Sequence, residues 1–136
     1  MILDFSSFEK ALLQLRKHHQ LAVNENDLEV KFAFKTATIQ SFKYVYEIAV
    51  KMTKGVLANN LSSASEINLI SFKNVIRKAA QLELISKPEN WFAYREKRNI
   101  TSHGYDCDKS ELIFDDMEIF IEDSQDLLEK LKNATS

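Results

Sequence analysis

An all-α, antiparallel up-and-down bundle of four main helices plus a short extra segment, in one domain over 1–136, is the fold this sequence predicts. Three observations predict it. Only two glycines and one proline occur in 136 residues, so turns and hairpins have few places to form. Hydrophobic residues make up 45% of the chain, a globular share. They recur at three- and four-residue intervals over long stretches, the period of a helix with one buried side. The length suits a single core, and no apolar run approaches the roughly 20 residues of a membrane span, so a soluble chain without membrane contact is expected.

The first helix follows from Phe5, Phe8, Ala11-Leu12, Leu15 and Ala22, with Asp4 or Ser6 as its cap. His18-His19 falls near its end; neighbours on a helix point about 100° apart and cannot grip one metal, so both read as surface residues at the negative end of the dipole. After Asn24-Glu25-Asn26-Asp27 a long helix starts, capped by Asp27, and runs to about Asn59. Its stripe is Phe32, Ile39, Phe42, Tyr46, Ala49 and Leu57, widened by Phe34, Ala37, Val45, Val50, Met52 and Val56. So broad an apolar coat predicts a central position or a dimer contact. Glu47 and Lys51 stand in the favoured i, i+4 order.

Residues 59–71 read as a loop with a short turn through Ile67 to Ile70. Ser71 caps a third helix, Phe72 to about Leu84, carried by Phe72, Val75-Ile76, Ala79 and Leu82. Ser86-Lys87-Pro88-Glu89 opens the next, since proline fits the first turn and the acid complements the dipole. Along it Trp91, Tyr94 and Arg98 fall on one side, where an aromatic near a cation can stack a base; core filling is the other reading of Trp91. A final helix, capped by Ser110, runs to about Asn133 with Leu112-Ile113, Met117, Phe120-Ile121, Leu127-Leu128 and Leu131 as its stripe.

The formal charge of −2 argues against a general nucleic-acid coat protein. Its distribution says more. Lys73, Arg77, Lys78, Lys87, Arg95, Lys97 and Arg98 face three acids over the same stretch, whereas Asp106 to Glu129 holds ten acids against Lys109. Either the two segments pair within the bundle, or the basic one forms a groove for RNA or a nucleotide. Cys107, the one cysteine, lies between Asp106 and Asp108, whose charges oppose a thiolate, and reads as incidental. A single thiol and an N-terminus without a basic-then-apolar leader suit a reducing cytoplasm. No Gly-rich phosphate loop or Cys/His cluster appears, so neither a cofactor nor a metal is expected.

Chemistry concentrates in Arg98-Asn99-Ile100-Thr101-Ser102-His103-Gly104-Tyr105. A guanidinium holds two phosphoryl oxygens through its fork of donors, and an imidazole moves protons near neutral pH. RNA carries its own nucleophile, the 2′-OH, so the pair can cleave it without a metal. Arg98, Ser102 and Tyr105 share one side of a helix, but His103 lies about 140° round from Arg98. Either the helix ends near Ser102, which Gly104 favours as a left-handed C′ residue, or a second copy of the chain completes the site.

Arg98, four residues, His103, one residue and Tyr105, with Asn99 after the arginine, resemble the signature of the HEPN superfamily. The chain is most similar to the branch of nucleotidyltransferase substrate-binding proteins, helical partners of minimal nucleotidyltransferases. Gln40, Phe42, Tyr46-Glu47, Lys51, Val75-Ile76-Arg77, Leu84-Ile85 and Trp91 extend the likeness from about residue 4 to 132. Lys43, Val50 and Glu83 depart from it, where an acid, an aromatic and a glycine are usual; the first two bear on partner contacts, and the third implies a longer helix.

What the resemblance implies is a homodimer inside a hetero-oligomer with the transferase, a toxin–antitoxin-type pair in which Tyr105 accepts a nucleotidyl group such as AMP. It equally implies a metal-independent ribonuclease, with His103 as general acid or base, Arg98 stabilising the phosphorane and Asn99 positioning one of them. Trp91, Tyr94, Arg95 and Ser102 are the candidate RNA or nucleotide contacts. A non-catalytic scaffold is the third reading.

Overall fold

A computed structural model describes residues 3–59, 71–101 and 107–135; the side chains of 101 and 107–110 lie outside that description. Six helices occur among the described residues: α1 (Ser6–Asn24), α2 (Leu28–Asn59), α3 (Phe72–Gln81), α4 (Pro88–Thr101), α5 (Cys107–Asp115) and α6 (Met117–Thr135). The four longest form the expected bundle. Along α1 and α6, Glu9 meets Lys132 and Arg16 donates to Gln125 at 3.0 Å, so the two run antiparallel. Asn90 donates to Asp123 and Lys97 pairs with Asp116, which sets α4 antiparallel to α6 as well. Among the described residues, no helix is long and apolar enough to cross a membrane.

The caps follow from local chemistry. At α1 the expected cap is corrected: Phe5, not Asp4 or Ser6, stands at the N-cap and makes no side-chain cap hydrogen bond, while Asp4 before it accepts from the backbone N–H of Ser6 at 2.9 Å, which lowers the pKa of its carboxyl. Asp27 Oδ1 accepts from the N–H groups of Glu29 and Val30 at 3.0 and 3.1 Å, satisfying two donors that the first turn of α2 leaves over. Ser71 accepts from Asn74 at the start of α3, and Pro88 opens α4, as the sequence predicts.

Other expectations are corrected as well. The long final helix starts earlier than predicted and is broken: α5 begins at Cys107, so that Ser110 falls within it rather than at its cap, and ends at Asp115; Asp116 stands at the N-cap position of α6, its carbonyl accepting from Phe120 N at 3.1 Å. Two successive aspartates, poor inside helices and good as caps, mark the break. The third helix is shorter than predicted and stops at Gln81. The histidine pair does not project from the surface. Both rings are half-buried, His18 Nδ1 lying 2.7 Å from Ser41 Oγ and His19 packing 5.4 Å from the Phe114 ring; burial lowers the pKa of His19, against a smaller upward pull from Glu118.

The end of α3 explains the departure at Glu83. Glu83 N–H bonds to Ala80 O at 3.0 Å and Leu84 N–H to Ala79 O at 2.9 Å, the paired bonds of a Schellman motif, and Glu83 adopts φ 61°. Glutamate therefore occupies the left-handed position that glycine would fill without strain, while Leu84 and Ile85 behind it enter the core. Glu83→Gly is expected to stabilise the protein by about 0.5–1 kcal/mol. The left-handed penalty of about 1–2 kcal/mol is relieved, and part of that is lost to glycine's greater freedom in the unfolded chain. A urea midpoint that rises with unchanged slope is the expected result; one that falls would contradict it.

The broad coat of α2 is used inside the chain, because α2 packs against each of the other described helices. Its buried face runs from Thr38 and Ile39 through Phe42, Val45, Ala49 and Val56 to Leu57; Phe32, read as part of the stripe, is instead exposed. At the centre lies Phe120 of α6, fully buried, with Phe42, Tyr94 and Trp91 around it at centroid distances of 4.7, 4.8 and 5.9 Å, all edge-on. These rings fix α4 to α2 and α6.

Candidate functional site

Helix α4 places the arginine of the motif. Its inward stripe begins in the core with Trp91 and Tyr94, each 3% exposed, and reaches the rim one turn later at Arg98, whose side chain is 26% exposed. Sequence periodicity put these three on one side, and so they are, but that side faces inward. Of the two readings, the structure takes core filling for Trp91, and it moves Tyr94 with it from candidate nucleotide contact to core residue, their rings packed against Phe120 and against each other. Tyr94 donates its hydroxyl to Asp123, and burial with this hydrogen bond drives its pKa far above the ordinary phenol value.

Arg98 meets an acid from α2. Its Nε and Nη2 both donate to Oε1 of Glu47, at 3.0 and 2.6 Å. Glu47 thereby turns to a residue 51 positions away in sequence rather than serving the predicted i, i+4 pair with Lys51. Two donors of the guanidinium thus converge on one carboxylate oxygen. Beside it Tyr46 is buried against Phe42 and Phe72, and burial pushes its pKa up to about 12 although the nearby Arg95 and Arg98 pull it down.

Next to Arg98, α3 and α4 bound an open groove of about 560 Å³ lined by Lys73, Phe92, Ala93, Arg95, Glu96 and Asn99. Two predicted site residues, Arg95 and Asn99, fall here. Arg95 lies over the Phe72 ring at 4.6 Å, and Phe92 meets that ring edge-on at 6.1 Å. Lys73 faces them from α3; nothing in the sequence marked it beyond its place in the basic segment. The basic segment divides between an internal ion pair and the groove. Lys97 crosses to Asp116 in the acidic segment at 2.8 Å, and Lys73 and Arg95 line the groove.

Ser102, His103, Gly104 and Tyr105 lie outside the described residues, as do the predicted loop at 60–70 and the side chain of Cys107. What is described is an anchored arginine with an adjoining cationic groove, an arrangement suited to an anion such as a phosphodiester.

Comparison with known proteins gives matches of three kinds. The family model described as "Nucleotidyltransferase substrate binding protein like" matches residues 3–133. A curated relative from Haemophilus influenzae, the "Probable ribonuclease HepT", is 32% identical over 128 residues, covering 94% of this chain and 86% of its own length. The solved structure of HI0074 from Haemophilus influenzae, described as revealing the fold of a substrate binding domain of a nucleotidyltransferase, superposes with a TM-score of 0.89. It is 29% identical, over 95% of this chain and 99% of that one. The resemblance read from the motif thus agrees with the match to the family model.

Proposed function

The chain belongs to the nucleotidyltransferase substrate-binding-protein-like family, and from that premise we propose that it is the partner subunit of a separately encoded minimal nucleotidyltransferase, with Tyr105 as acceptor of a nucleotidyl group. The observation that carries this reading is the family match over nearly the whole chain, supported by the likeness to HI0074 over equally much of it. In the transfer, the Tyr105 hydroxyl oxygen attacks the α-phosphorus of a nucleoside triphosphate held by the transferase. A phenolic O–P bond forms, the bond to pyrophosphate breaks, and the phenol proton leaves to solvent. Arg98 supplies a cation for the phosphodiester so created, and the added anion offsets the charge on which RNA binding draws.

Two copies of the chain form the working unit in this reading, and the pair with the transferase is of toxin–antitoxin type. Co-expression with a minimal nucleotidyltransferase encoded beside it tests the partnership. The two proteins are expected to elute together in size-exclusion chromatography at a mass above either alone; separate elution would overturn it.

A second reading, favoured by the ribonuclease name of the 32% identical relative, is metal-independent RNA cleavage. The 2′-OH attacks the adjacent phosphorus, His103 takes its proton or protonates the departing 5′-oxygen, and Arg98 holds the phosphorane charge. One protein can do both, nucleotidylation of Tyr105 then switching cleavage off.

A further inference from the structure

Resting on the RNA-cleaving reading, we propose that the α3–α4 groove is a subsite for the sugar–phosphate backbone of single-stranded RNA next to the phosphodiester at Arg98, with Lys73 and Arg95 as its phosphate contacts. The groove of about 560 Å³ falls in the size range of sites that take small ligands. Its two cations come from different helices. Lys97 is paired with Asp116 and lies outside the groove, whereas Lys73 and Arg95 form no ion pair among the described residues.

Arg95 is also held in place. Its guanidinium carbon lies 4.6 Å from the centre of the Phe72 ring, a contact that holds the cation in place without pairing it with an acid. Phe92 packs edge-on against Phe72 and forms the apolar part of the wall, so a cationic groove with an aromatic side chain results, as in proteins that track single strands.

Register joins this groove to the motif. Phe92, Arg95, Glu96 and Asn99 form an i, i+3, i+4, i+7 stripe toward α3, and Arg98 lies about 60° round the helix from Arg95 and about 4.5 Å further along it. Both guanidiniums act on the phenol of Tyr46, which places them in one neighbourhood. A strand with one phosphate at Arg98 can therefore set a neighbouring one between Arg95 and Lys73. Glu96 limits where phosphates sit, since its carboxylate repels them and accepts from an exocyclic amine of a base.

The test is anisotropy binding of the full chain to a single-stranded oligoribonucleotide with 2′-O-methyl sugars, which blocks the nucleophile and so prevents cleavage. Lys73→Ala and Arg95→Ala are each expected to weaken binding several-fold whatever the base sequence, and to lower the slope of log affinity against log salt by about 0.7. Arg77→Ala, an exposed change of equal charge on α3 outside the groove, is the reference, and circular dichroism checks that each variant folds. If Lys73→Ala and Arg95→Ala match Arg77→Ala while the wild-type chain binds, the subsite is overturned and the RNA reading stands. A wild-type chain that does not bind the strand overturns both.

Discussion

Replacing Phe120 by alanine is expected to lower the unfolding free energy by about 3–5 kcal/mol, the cost of emptying a fully buried aromatic site. The upper half of that range is the more apt here, because Phe120 is the common neighbour of Phe42, Trp91 and Tyr94, and edge-on aromatic pairs add to simple burial. Domains of this kind are stable by about 5–15 kcal/mol, so the loss is a large share of the whole. It also reaches the site. Trp91 and Tyr94 seat α4 on Phe120, and α4 carries Arg98 to Glu47, so a loosened core displaces the guanidinium before the chain unfolds. Urea denaturation is the measurement; a loss below about 1 kcal/mol would show that Phe120 does not hold the bundle together.

The second large effect concerns the motif. In chelator, His103→Ala is expected to reduce RNA cleavage by about 10²–10⁴-fold, the usual worth of a positioned proton donor or acceptor. Arg98→Ala is expected to cost about 10²–10³-fold, as losing a preorganised donor to a developing oxyanion does. Arg98→Ala should unfold close to the wild-type urea midpoint, since Arg98 and Glu47 form a rim pair, partly exposed, and such a pair contributes about 1 kcal/mol or less. Undiminished cleavage by both variants would dispose of the ribonuclease reading and leave the partnership untouched.

Helical period carried most of the fold. Phe8, Leu12 and Leu15, then Phe42, Ala49 and Leu57, then Met117, Phe120, Leu127 and Leu131 are buried, as their spacing requires, and the caps at Asp27 and Ser71 sit where their side chains can take backbone N–H groups. The period does not register where it is interrupted without changing phase. Ile113, Met117 and Phe120 continue one stripe through the break at Asp116, and Glu83 hides a left-handed turn because it is not glycine.

At the site the limits are of another kind. A stripe read from one helix says that Trp91, Tyr94 and Arg98 share a side; which side is covered depends on helices distant in sequence. Phe120 buried the two aromatics, and Glu47, 51 residues from Arg98, claimed the guanidinium. Lys73 entered for the same reason, since only the approach of α3 to α4 sets it opposite Arg95. The arginine itself was legible, because its chemistry and its motif are local.

The most direct test is the mass of the tryptic peptide containing Tyr105 after co-expression with a minimal nucleotidyltransferase. The peptide is expected to gain the mass of at least one nucleotidyl group, with fragment ions assigning it to Tyr105, and a Tyr105→Phe chain should stay unmodified. A Tyr105 peptide of unaltered mass, from a chain that has met an active transferase, would contradict the acceptor role.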